Sequence, residues 1–561
     1  MITRRDFLQV AAATAVLTAG APMARAAATQ KITQSDLLSF KPVGQVTLLN
    51  FTDIHAQLMP LYFREPSVNL GVGEVKGLVP HLTGKDALRK FGLKAGTAEA
   101  YAFTADDFSA LARTYGRVGG LDRMATLVKA IRAERPANTL LIDCGDTWQG
   151  SYTSLQTRGE DMVDAMNALG VDVMVPHWEF TYGEARVKEL ISKLKFPFLC
   201  SNAKDTEWDE DVFPHTAFFD RGGVKVAVIG QGFPYTPVAH PRAFTPKWSF
   251  GIREEEMQKR IDAAKAEGAD LIVVASHNGF DTDRKMAGRL KGIDVLLTGH
   301  THDAIPSVVK VGDTLLVASG SHGKFLARLD VEVKNKKVTN FAFKLMPVFS
   351  DVVTPDRDMA ALVEKIRAPH KAVLEKTLAR TESLLYRRGN FNGTFDDVIC
   401  QALLDERDAQ IALSPGFRWG ASLPPGSDIT MEDVYNQTGI TYPNAYRSQM
   451  TGQLLKDILE DVADNLFNPD PYYQQGGDMV RVGGMAYRID IHKPIGSRIS
   501  DMTIVKTGEK VDAAKTYAVA GWASMNEAIE GPPVWDVVSS WLEKKKTIRF
   551  EENRAVKVVG A

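Results

Sequence analysis

Residues 45–300 alternate short, nearly continuous apolar runs with longer stretches in which apolar residues recur every three or four positions. The short runs predict strands buried on both faces, and the longer stretches predict amphipathic helices. The predicted strands cover residues 45–51, 139–145, 172–176, 196–202, 224–231, 270–277 and 293–300. The predicted helices cover residues 121–134, 161–169, 183–194, 253–267 and 284–290. This alternation predicts an α/β domain in which helices cover a sheet.

A different pattern follows at residues 326–345, where two β-like segments flank Asn335 and Lys336. They predict an antiparallel hairpin, so the sheets of the first domain are expected to be mixed. Residues 356–382 are charged, helical in pattern and interrupted by Pro369, and they predict a helical linker. Residues 383–561 then predict a second, smaller α/β domain, with helices at 396–406 and 452–465 and strands at 486–492 and 516–522.

A long glycine-containing segment, residues 59–112, separates the first two predicted strands. Compact domains rarely carry such a connection without a function. We therefore interpret it as an insertion in a first domain of residues 27–355, and we expect it to shape the entrance to the functional site.

The N-terminus has the pattern of an export signal. Residues 1–26 combine a basic start, an apolar stretch at 8–17 and a small-residue site, Ala-Arg-Ala, at 24–26. Residues 3–8, Thr-Arg-Arg-Asp-Phe-Leu, fit the twin-arginine signal, which exports folded proteins. We therefore expect a periplasmic protein whose mature chain begins near Ala27.

Composition narrows the range of partners. The 561 residues exceed one ordinary core and carry a formal net charge of −2, so we expect two domains and neither a nucleic-acid nor a membrane partner. The protein is expected to be a monomer. Cys144, Cys200 and Cys400 lie within or at the end of apolar runs, without the even count of a disulfide framework. We expect them to be buried and unpaired.

Aspartates and histidines follow five of the predicted strands, at the edge where open α/β sheets bind ligands. Asp53 and His55 are two residues apart, as are His300 and His302, so each pair faces one side of an extended chain. One such pair is most simply a buried hydrogen-bonded pair, but five histidines with two aspartates indicate a metal site. The seven candidate ligands are Asp53, His55, Asp146, His177, His277, His300 and His302.

Seven nitrogen and oxygen ligands exceed the needs of one catalytic ion that keeps a position open. They suit two divalent ions that share a carboxylate, with a bridging water as nucleophile. Carboxylate and imidazole ligands admit manganese, iron or zinc.

The motifs Asp-x-His, Gly-Asp, Ser-His-Asn-Gly and Gly-His-Thr-His resemble those of the dinuclear metallophosphoesterases, and the two-domain layout resembles the periplasmic 5′-nucleotidases. Within that superfamily, residues 68–73 (VNLGVG), 177–184 (HWEFTYGE) and 477–487 (GDMVRVGGMAY) are similar to the SoxB thiosulfohydrolases. The likeness covers nearly the whole mature chain. It implies a metallophosphoesterase-like α/β sandwich with mixed sheets, followed by a C-terminal domain of the 5′-nucleotidase type.

The resemblance also implies how the ligands divide between two ions, for which manganese is the first expectation and zinc or iron the alternatives. One ion would be held by Asp53, His55 and His302, and the other by His177, His277 and His300, with Asp146 shared between them.

The third ligand site departs from the nucleotidase pattern. Nucleotidases read Gly-Asn-His-Glu-Phe-Asp there, where asparagine binds metal and the next histidine and the aspartate form a catalytic dyad. Residues 176–181 here read Pro-His-Trp-Glu-Phe-Thr, so Trp178 and Thr181 replace the dyad. Loss of the dyad fits a sulfur leaving group, which has a thiol pKa of about 8.5 and departs as an anion without an acid.

Pro176, in place of the glycine, restricts the backbone before His177.

Two segments of the second domain resemble those whose arginines hold phosphate in the nucleotidases, residues 386–393 (YRRGNFNG) and 414–420 (SPGFRWG). They imply that Arg387, Arg388 and Arg418 clasp an oxyanion, since planar guanidinium does so bidentately. Ordinary salt bridges are the alternative. Residues 519–538 lack the Gly-Gly-Asp-Gly-Tyr base-binding segment of the nucleotidases.

The resemblance therefore implies hydrolysis of the terminal sulfonate from an S-thiosulfonated cysteine on the flexible arm of a SoxYZ-type carrier protein. A metal-bound hydroxide would release sulfate, with Asp146, Arg418 and Trp178 as the catalytic residues. The alternatives are a periplasmic 5′-nucleotidase or cyclic phosphodiesterase, and a non-catalytic, metal-stabilised subunit of a periplasmic assembly.

Overall fold

The structure is a computed structural model that describes residues 32–526 and 528–560. The predicted export signal lies outside the described residues. The strands of the first half are β1 (Val46–Phe51), β2 (Thr139–Asp143), β3 (Val173–Met174), β4 (Lys204–Asp205), β5 (Thr216–Arg221), β6 (Val224–Gln231), β7 (Trp248–Ser249), β8 (Leu271–Ser276), β9 (Val295–Thr298), β10 (Val309–Val311), β11 (Thr314–Ala318), β12 (Phe325–Lys334) and β13 (Lys337–Pro347).

These strands build two large sheets. One has the order β13-β12-β1-β2-β3, in which β1, β2 and β3 are parallel and β12 and β13 are antiparallel. The other has the order β10-β11-β9-β8-β6-β5, with four parallel strands at its centre. The predictions of an α/β fold, of mixed sheets and of the hairpin at Asn335 and Lys336 are confirmed.

The apolar run of β8 shows why these strands lack alternation. Leu271, Val273 and Ala275 join the large core that includes residues of both sheets. Ile272 and Val274 join a second core with residues of the outer helices Glu254–Ala266 and Phe280–Arg289. Because both faces are covered, every position is apolar.

The helices of this half agree with the sequence pattern to within a few residues. The helix predicted at 284–290 begins earlier, because Asp281 and Asp283 provide an acidic first turn that favours a helix N-terminus. The other predicted helices are observed as Leu121–Glu134, Glu160–Leu169, Glu184–Lys193 and Glu254–Ala266, and further helices are Gln34–Leu38, Tyr152–Thr157 and Thr236–Ala239.

The strand predicted at 196–202 is wrong. The segment pairs with β3 only through two hydrogen bonds, Met174 N to Pro197 O and Leu199 N to Met174 O. Pro197 has no N–H to continue a ladder. Ser201 N then donates to Gly230 O in the other sheet, so the segment crosses between sheets instead of extending either one.

The second half contains helices Thr394–Glu406, Met431–Thr438, Gly452–Phe467 and Val534–Lys545. Its strands are β14 (Thr377–Thr381), β15 (Ile411–Ser414), β16 (Asp428–Thr430), β17 (Tyr446–Thr451), β18 (Arg481–Gly483), β19 (Met485–Asp490), β20 (Ile499–Ile504), β21 (Thr516–Gly521), β22 (Thr547–Ile548) and β23 (Val556–Val559). They form sheets in the orders β16-β14-β22, β17-β21-β15-β18 and β20-β19-β23.

The predicted linker is helical only in part. It contains helices Arg357–Arg367 and Lys371–Leu374 with a 3-10 turn, Ala368–His370, at the proline. Its last residues form β14, which pairs with β16 and β22. That end of the linker is therefore part of the sheet structure of the second half. The boundaries at 355 and 383 stay predictions, because the described residues fold as one unit.

The three cysteines are free and buried, as expected. Burial raises the pKa of the Cys200 thiol to about 12, so that thiol stays protonated at neutral pH. Within the described residues, no helix combines the length and the apolar character needed to cross a bilayer.

The insertion is a folded element held by a buried ion pair. It contains helices Gly84–Phe91, Ala98–Phe103 and Phe108–Tyr115. The Lys324 ammonium, which is 1% exposed, donates to Glu65 Oε1 at 2.7 Å and to Phe63 O at 3.1 Å. Since Lys324 immediately precedes β12, this pair fixes the beginning of the insertion to the first sheet.

We expect Glu65→Ala to release the insertion, because a buried ammonium left without its partner costs about 3 kcal/mol. Limited trypsin digestion within residues 66–112 should accelerate roughly 100-fold, as cleavage follows the population of the open state. Glu74→Ala is the matched control, since Glu74 is exposed in the same insertion. Equal cleavage rates in the two variants would contradict an anchoring role for the pair.

Candidate dinuclear metal centre

The seven candidate ligands lie in the loops that leave five strands. Asp53 and His55 follow β1, Asp146 follows β2, and His177 follows β3, all in the first sheet. His277 follows β8, while His300 and His302 follow β9, in the second sheet. Since each set of strands is parallel, each sheet presents its ligands at one edge, and the two edges meet.

The structure brings all seven together in two groups that share Asp146. Asp53, His55, Asp146 and His302 form one group, and Asp146, His177, His277 and His300 form the other. In each group, one ligand atom per residue lies within 4.8 Å of all the others, and the residues are buried. The grouping is the one that the family resemblance implies.

Asp146 is the common member. Its Oδ2 lies 3.1 Å from His177 Nδ1 and 3.1 Å from His277 Nε2. His55 Nε2 is 3.7 Å from the same oxygen. Imidazoles from both groups therefore converge on a single carboxylate oxygen, as a shared ligand requires.

Asp53 completes the first group. Its Oδ1 lies 3.2 Å from His302 Nε2, and that nitrogen is 3.0 Å from His55 Nε2. Thr52 Oγ1 donates to the other Asp53 oxygen at 2.6 Å. Two imidazole nitrogens this close cannot both carry a proton. A cation bound between the two rings would accept both lone pairs and remove their repulsion.

The backbone at the ligands is unusual. Five of the seven have positive φ: Asp53 at 53°, His55 at 49°, Asp146 at 59°, His300 at 76° and His302 at 58°. Residues other than glycine rarely adopt this region, and they cluster there at functional sites. Gly145 also has a positive φ, 90°, and only glycine fits there, because a Cβ would lie 2.5 Å from Val175 O.

The ligand set fits two divalent cations. It offers imidazole nitrogen and carboxylate oxygen without thiolate, which suits manganese, iron or zinc. Burial lowers the pKa of His177 to about 4 and those of His300 and His302 well below the usual value, so these rings are neutral and able to ligate. Burial opposes ionisation of Asp146, but His177 and His277 outweigh it and hold the pKa of Asp146 well below its usual value.

At His277, the ring nitrogen that faces away from the centre also has a hydrogen-bond partner. Its Nδ1 hydrogen-bonds Cys144 O, the arrangement that commonly orients a metal-ligating histidine. His177 takes its place in spite of Pro176, with φ −150° and ψ −87°.

Sequence reasoning missed Glu179, which joins two ligand loops. Its carboxylate accepts N–H groups from Thr147 at 2.7 Å, Trp148 at 3.2 Å and His177 at 2.7 Å. Glu179 is fully buried. It therefore fixes the Asp146 loop to the His177 loop without contacting the metal positions itself.

His322 was also missed, although it too follows a strand, β11. Its backbone N–H donates to Asp53 O at 2.8 Å, and its Nε2 accepts from Gly420 N at 3.2 Å. It thus links a ligand loop of the first half to the segment that carries Arg418. The signal that found the other histidines would have found it, had β11 been predicted.

A cavity of about 240 Å³, here called the metal cavity, opens onto both ligand groups. Aromatic side chains dominate its walls beyond the ligands. Phe417 stacks on Trp419 with ring centroids 3.9 Å apart, and Trp178 meets Trp419 edge-on at 5.0 Å. The further lining residues used below are Val238, Arg418, Asn465, Gly476 and Met525.

The structure separates the three arginines. Arg418 lines the metal cavity. Arg387 does not, since its guanidinium is buried against Asp396 at 2.7 Å, Gln437 O and Pro415 O. Arg388 is buried as well, donating to Thr301 O at 2.8 Å. Arg387 and Arg388 thus have structural partners, and only Arg418 is positioned to clasp an oxyanion beside the ligands.

Trp178 contacts the shared ligand Asp146 through its backbone. Its backbone N–H donates to Asp146 Oδ1 at 2.8 Å, while its indole forms part of the cavity wall. Thr181 faces away, with its hydroxyl 2.7 Å from that of Thr441. Neither replaces the acid–base chemistry of the nucleotidase dyad.

The insertion is not where we expected it. Among the described residues, none from 59–112 lines the metal cavity. Asn69, Leu70, Pro80 and His81 line instead a second, smaller cavity that is considered below.

Comparison with known proteins supports the fold. The model of the 5′-nucleotidase C-terminal domain matches residues 377–534. The bovine 5′-nucleotidase is 24% identical over 454 residues, which cover 72% of this chain and 76% of the relative. A 5′-nucleotidase precursor from Thermus thermophilus is 22% identical with a TM-score of 0.73, covering 92% of this chain and all of that one, and shows a shared fold.

A nearer match is the solved structure of the sulfate thiohydrolase SoxB from Thermus thermophilus in complex with glycerol. It is 36% identical, has a TM-score of 0.90, and covers 93% of this chain and 98% of that chain. Fold and site together define a hydrolase with buried groups that can hold two metal ions. The chain belongs to the 5′-nucleotidase and metallophosphoesterase superfamily.

We expect Glu179→Gln to weaken metal binding about 10- to 100-fold, the usual cost of losing an orienting contact. An amide NH₂ would oppose one of the backbone N–H groups that the carboxylate now accepts. Competition with a chelator on the metal-reconstituted protein measures the affinity without reference to activity. Glu184→Gln, in the following helix, is the control, and affinity unchanged in both variants would refute the role given to Glu179.

Proposed function

We propose that this protein hydrolyses the terminal sulfonate of an S-thiosulfonated cysteine carried by a partner protein, and releases sulfate. The observation that carries the proposal is that Trp178, which lines the metal cavity, stands at the motif position where the nucleotidases carry a catalytic histidine. The similarity to SoxB over nearly the whole chain supports it. The carrier, of the SoxYZ type with a mobile cysteine arm, and the periplasmic location belong to the same proposal.

The reaction needs no acid for its leaving group. Water adds to the sulfonate sulfur, the bond to the sulfane sulfur breaks, and the carrier cysteine keeps a persulfide while two protons pass to solvent. A sulfur anion of low proton affinity leaves unaided, unlike an alkoxide. His240, an imidazole outside the ligand set, packs on Trp178 with ring centroids 4.5 Å apart. Burial lowers the pKa of His240 to about 3, so it carries no proton to give at neutral pH.

Two divalent ions, manganese in the proposal, would be held by the two ligand groups and would supply Lewis acidity toward the sulfonate and a water. The protein's own residues do the rest. Asp146 joins the two groups, and the Trp178 N–H fixes its second oxygen. Arg418 faces the same space and stabilises charge on the sulfonate oxygens.

The size of the metal cavity agrees with a slender substrate. Its volume of about 240 Å³ is below the ~300–1,000 Å³ of pockets that enclose drug-sized ligands. A cysteine arm ending in a thiosulfonate enters such a space more readily than a nucleoside. Exposed apolar residues at the rim, Val238 and Met525, suit contact with a protein partner.

The decisive experiment offers thiosulfonated carrier and AMP in parallel to the manganese-reconstituted mature protein, with sulfate and phosphate assayed. We expect sulfate alone, and none from Asp146→Asn, because the shared ligand is lost. Phosphate instead would identify a nucleotidase that works without the dyad. No anion from either substrate, with carrier binding intact, would favour a non-catalytic subunit.

Arg418→Lys should lower kcat/KM toward the carrier about 100-fold, in keeping with the loss of one preorganised oxyanion donor. A lysine cannot reproduce the planar two-pronged contact of a guanidinium. Arg488→Lys, a half-exposed arginine on β19, controls for the change of side chain. Wild-type kcat/KM in Arg418→Lys would remove this residue from the proposed mechanism.

A further inference from the structure

A second cavity of about 50 Å³, here called the polar cavity, lies against the metal cavity. Four residues line both: His300, Arg418, Asn465 and Gly476. The partition between the two spaces is therefore one layer of residues thick. It includes the metal-ligand candidate His300 and the arginine assigned to the oxyanion.

The two cavities differ in chemistry. Aromatic rings wall the metal cavity, whereas amide and hydroxyl side chains are prominent in the polar cavity. These are Asn69 from the insertion, Asn278 and Thr282 from the start of one helix, and Asn390 from the second half. Their donors already bond to protein acceptors, such as Asp283 for Asn278, Pro471 O for Thr282 and Asp478 for Asn390, so they offer an anion a polar surface without a tight binding site.

The carboxylates of the polar cavity have hydrogen-bonding or charged partners. Asp281 accepts from His81 at 2.7 Å, and Asp303 lies 3.5 Å from Arg388. Repulsion of an anion by these groups is reduced, because each negative charge has a positive or hydrogen-bonding neighbour.

Arg418 is the most loosely held of the three arginines. Its contacts, to Asp478 Oδ1 and to Thr301 O, are both 3.4 Å long, beyond the usual range of about 2.7–3.2 Å. Asp478 is engaged more closely by Arg481, at 3.1 Å. The Arg418 guanidinium can therefore turn from one cavity to the other at little cost in hydrogen bonds.

We propose that the polar cavity is the exit for the tetrahedral oxyanion product, with Arg418 passing the anion across the partition. The inference rests on the proposed function, since it takes the product to be sulfate formed beneath a protein-borne sulfur. The sulfonate enters the metal cavity first and the carrier arm follows it. After cleavage the arm blocks the way in, so sulfate leaves across the wall that the two cavities share, while water enters by the same route.

The test narrows the polar cavity without touching the metal cavity. Leu466 lies near the end of helix Gly452–Phe467 and lines only the polar cavity. Leu466→Trp should leave the rate of the first turnover of thiosulfonated carrier within about twofold of wild type and lower steady-state kcat about tenfold, as product release becomes limiting. Rapid quenching with a sulfate assay resolves the two phases as a burst.

The matched control is Leu454→Trp, because Leu454 is 45% exposed on the same helix and, as far as the described residues define the cavities, lines neither. A second blocking variant, Leu70→Phe, narrows the cavity from the insertion. Its control is Leu78→Phe, which is exposed in the same insertion. If only one of Leu466→Trp and Leu70→Phe folds, that variant and its control are sufficient to test the exit.

A burst followed by slow turnover in the blocked variants alone would support the exit. Steady-state rates equal to the controls would overturn it, as would an equal loss in both phases, which would place the defect in the metal cavity. Failure of the proposed function is a separate result, since wild-type protein would then release no sulfate from the carrier in either phase.

Discussion

The carboxylate of Asp146 is the point on which the arrangement of the first half depends. A buried carboxylate is costly unless every lone pair has a partner, and this one is surrounded by imidazoles from both sheets. His177 reaches it from the first sheet and His277 from the second. The edges of the two sheets are therefore held together by charge as well as by the apolar core between them. Metal binding and the relative position of the sheets are coupled for that reason.

A second set of buried charges lies within the C-terminal half, close to Arg418. Arg387 pairs with Asp396, and Arg481 with Asp478, so these arginines are fixed and Arg418 is left with long contacts. In the proposed function, this arrangement gives Arg418 the freedom to contact an anion while its neighbours stay fixed. His322 joins the two halves, because its backbone N–H donates to Asp53 O and its imidazole accepts from Gly420 N.

Much of this could be predicted from residues alone, for an identifiable reason. The ligands follow strands that are buried on both faces, and such strands are recognisable as apolar runs, so the runs at β1, β2, β3, β8 and β9 located all seven. What the sequence could not give depends on long-range partners. Arg387 and Arg418 belong to similar glycine-containing segments, and only the position of Asp396 distinguishes them. The segment at 196–202 is as apolar as a strand, but its place between two sheets decides its geometry.

The left-handed backbone at five ligand positions gives a second reason, besides metal binding, for the residue types in the motifs of this superfamily. Aspartate, asparagine and histidine are the non-glycine residues that tolerate this conformation best, and they are also the residues that bind metal. The scaffold and the chemistry thus select the same side chains. In a homologue without metals or activity, the positive φ at positions 53, 55, 146, 300 and 302 would still favour Asp, Asn or His there. Persistence of the motif in a lineage is therefore weaker evidence of catalysis than persistence of His177 and His277, which have no positive φ to preserve.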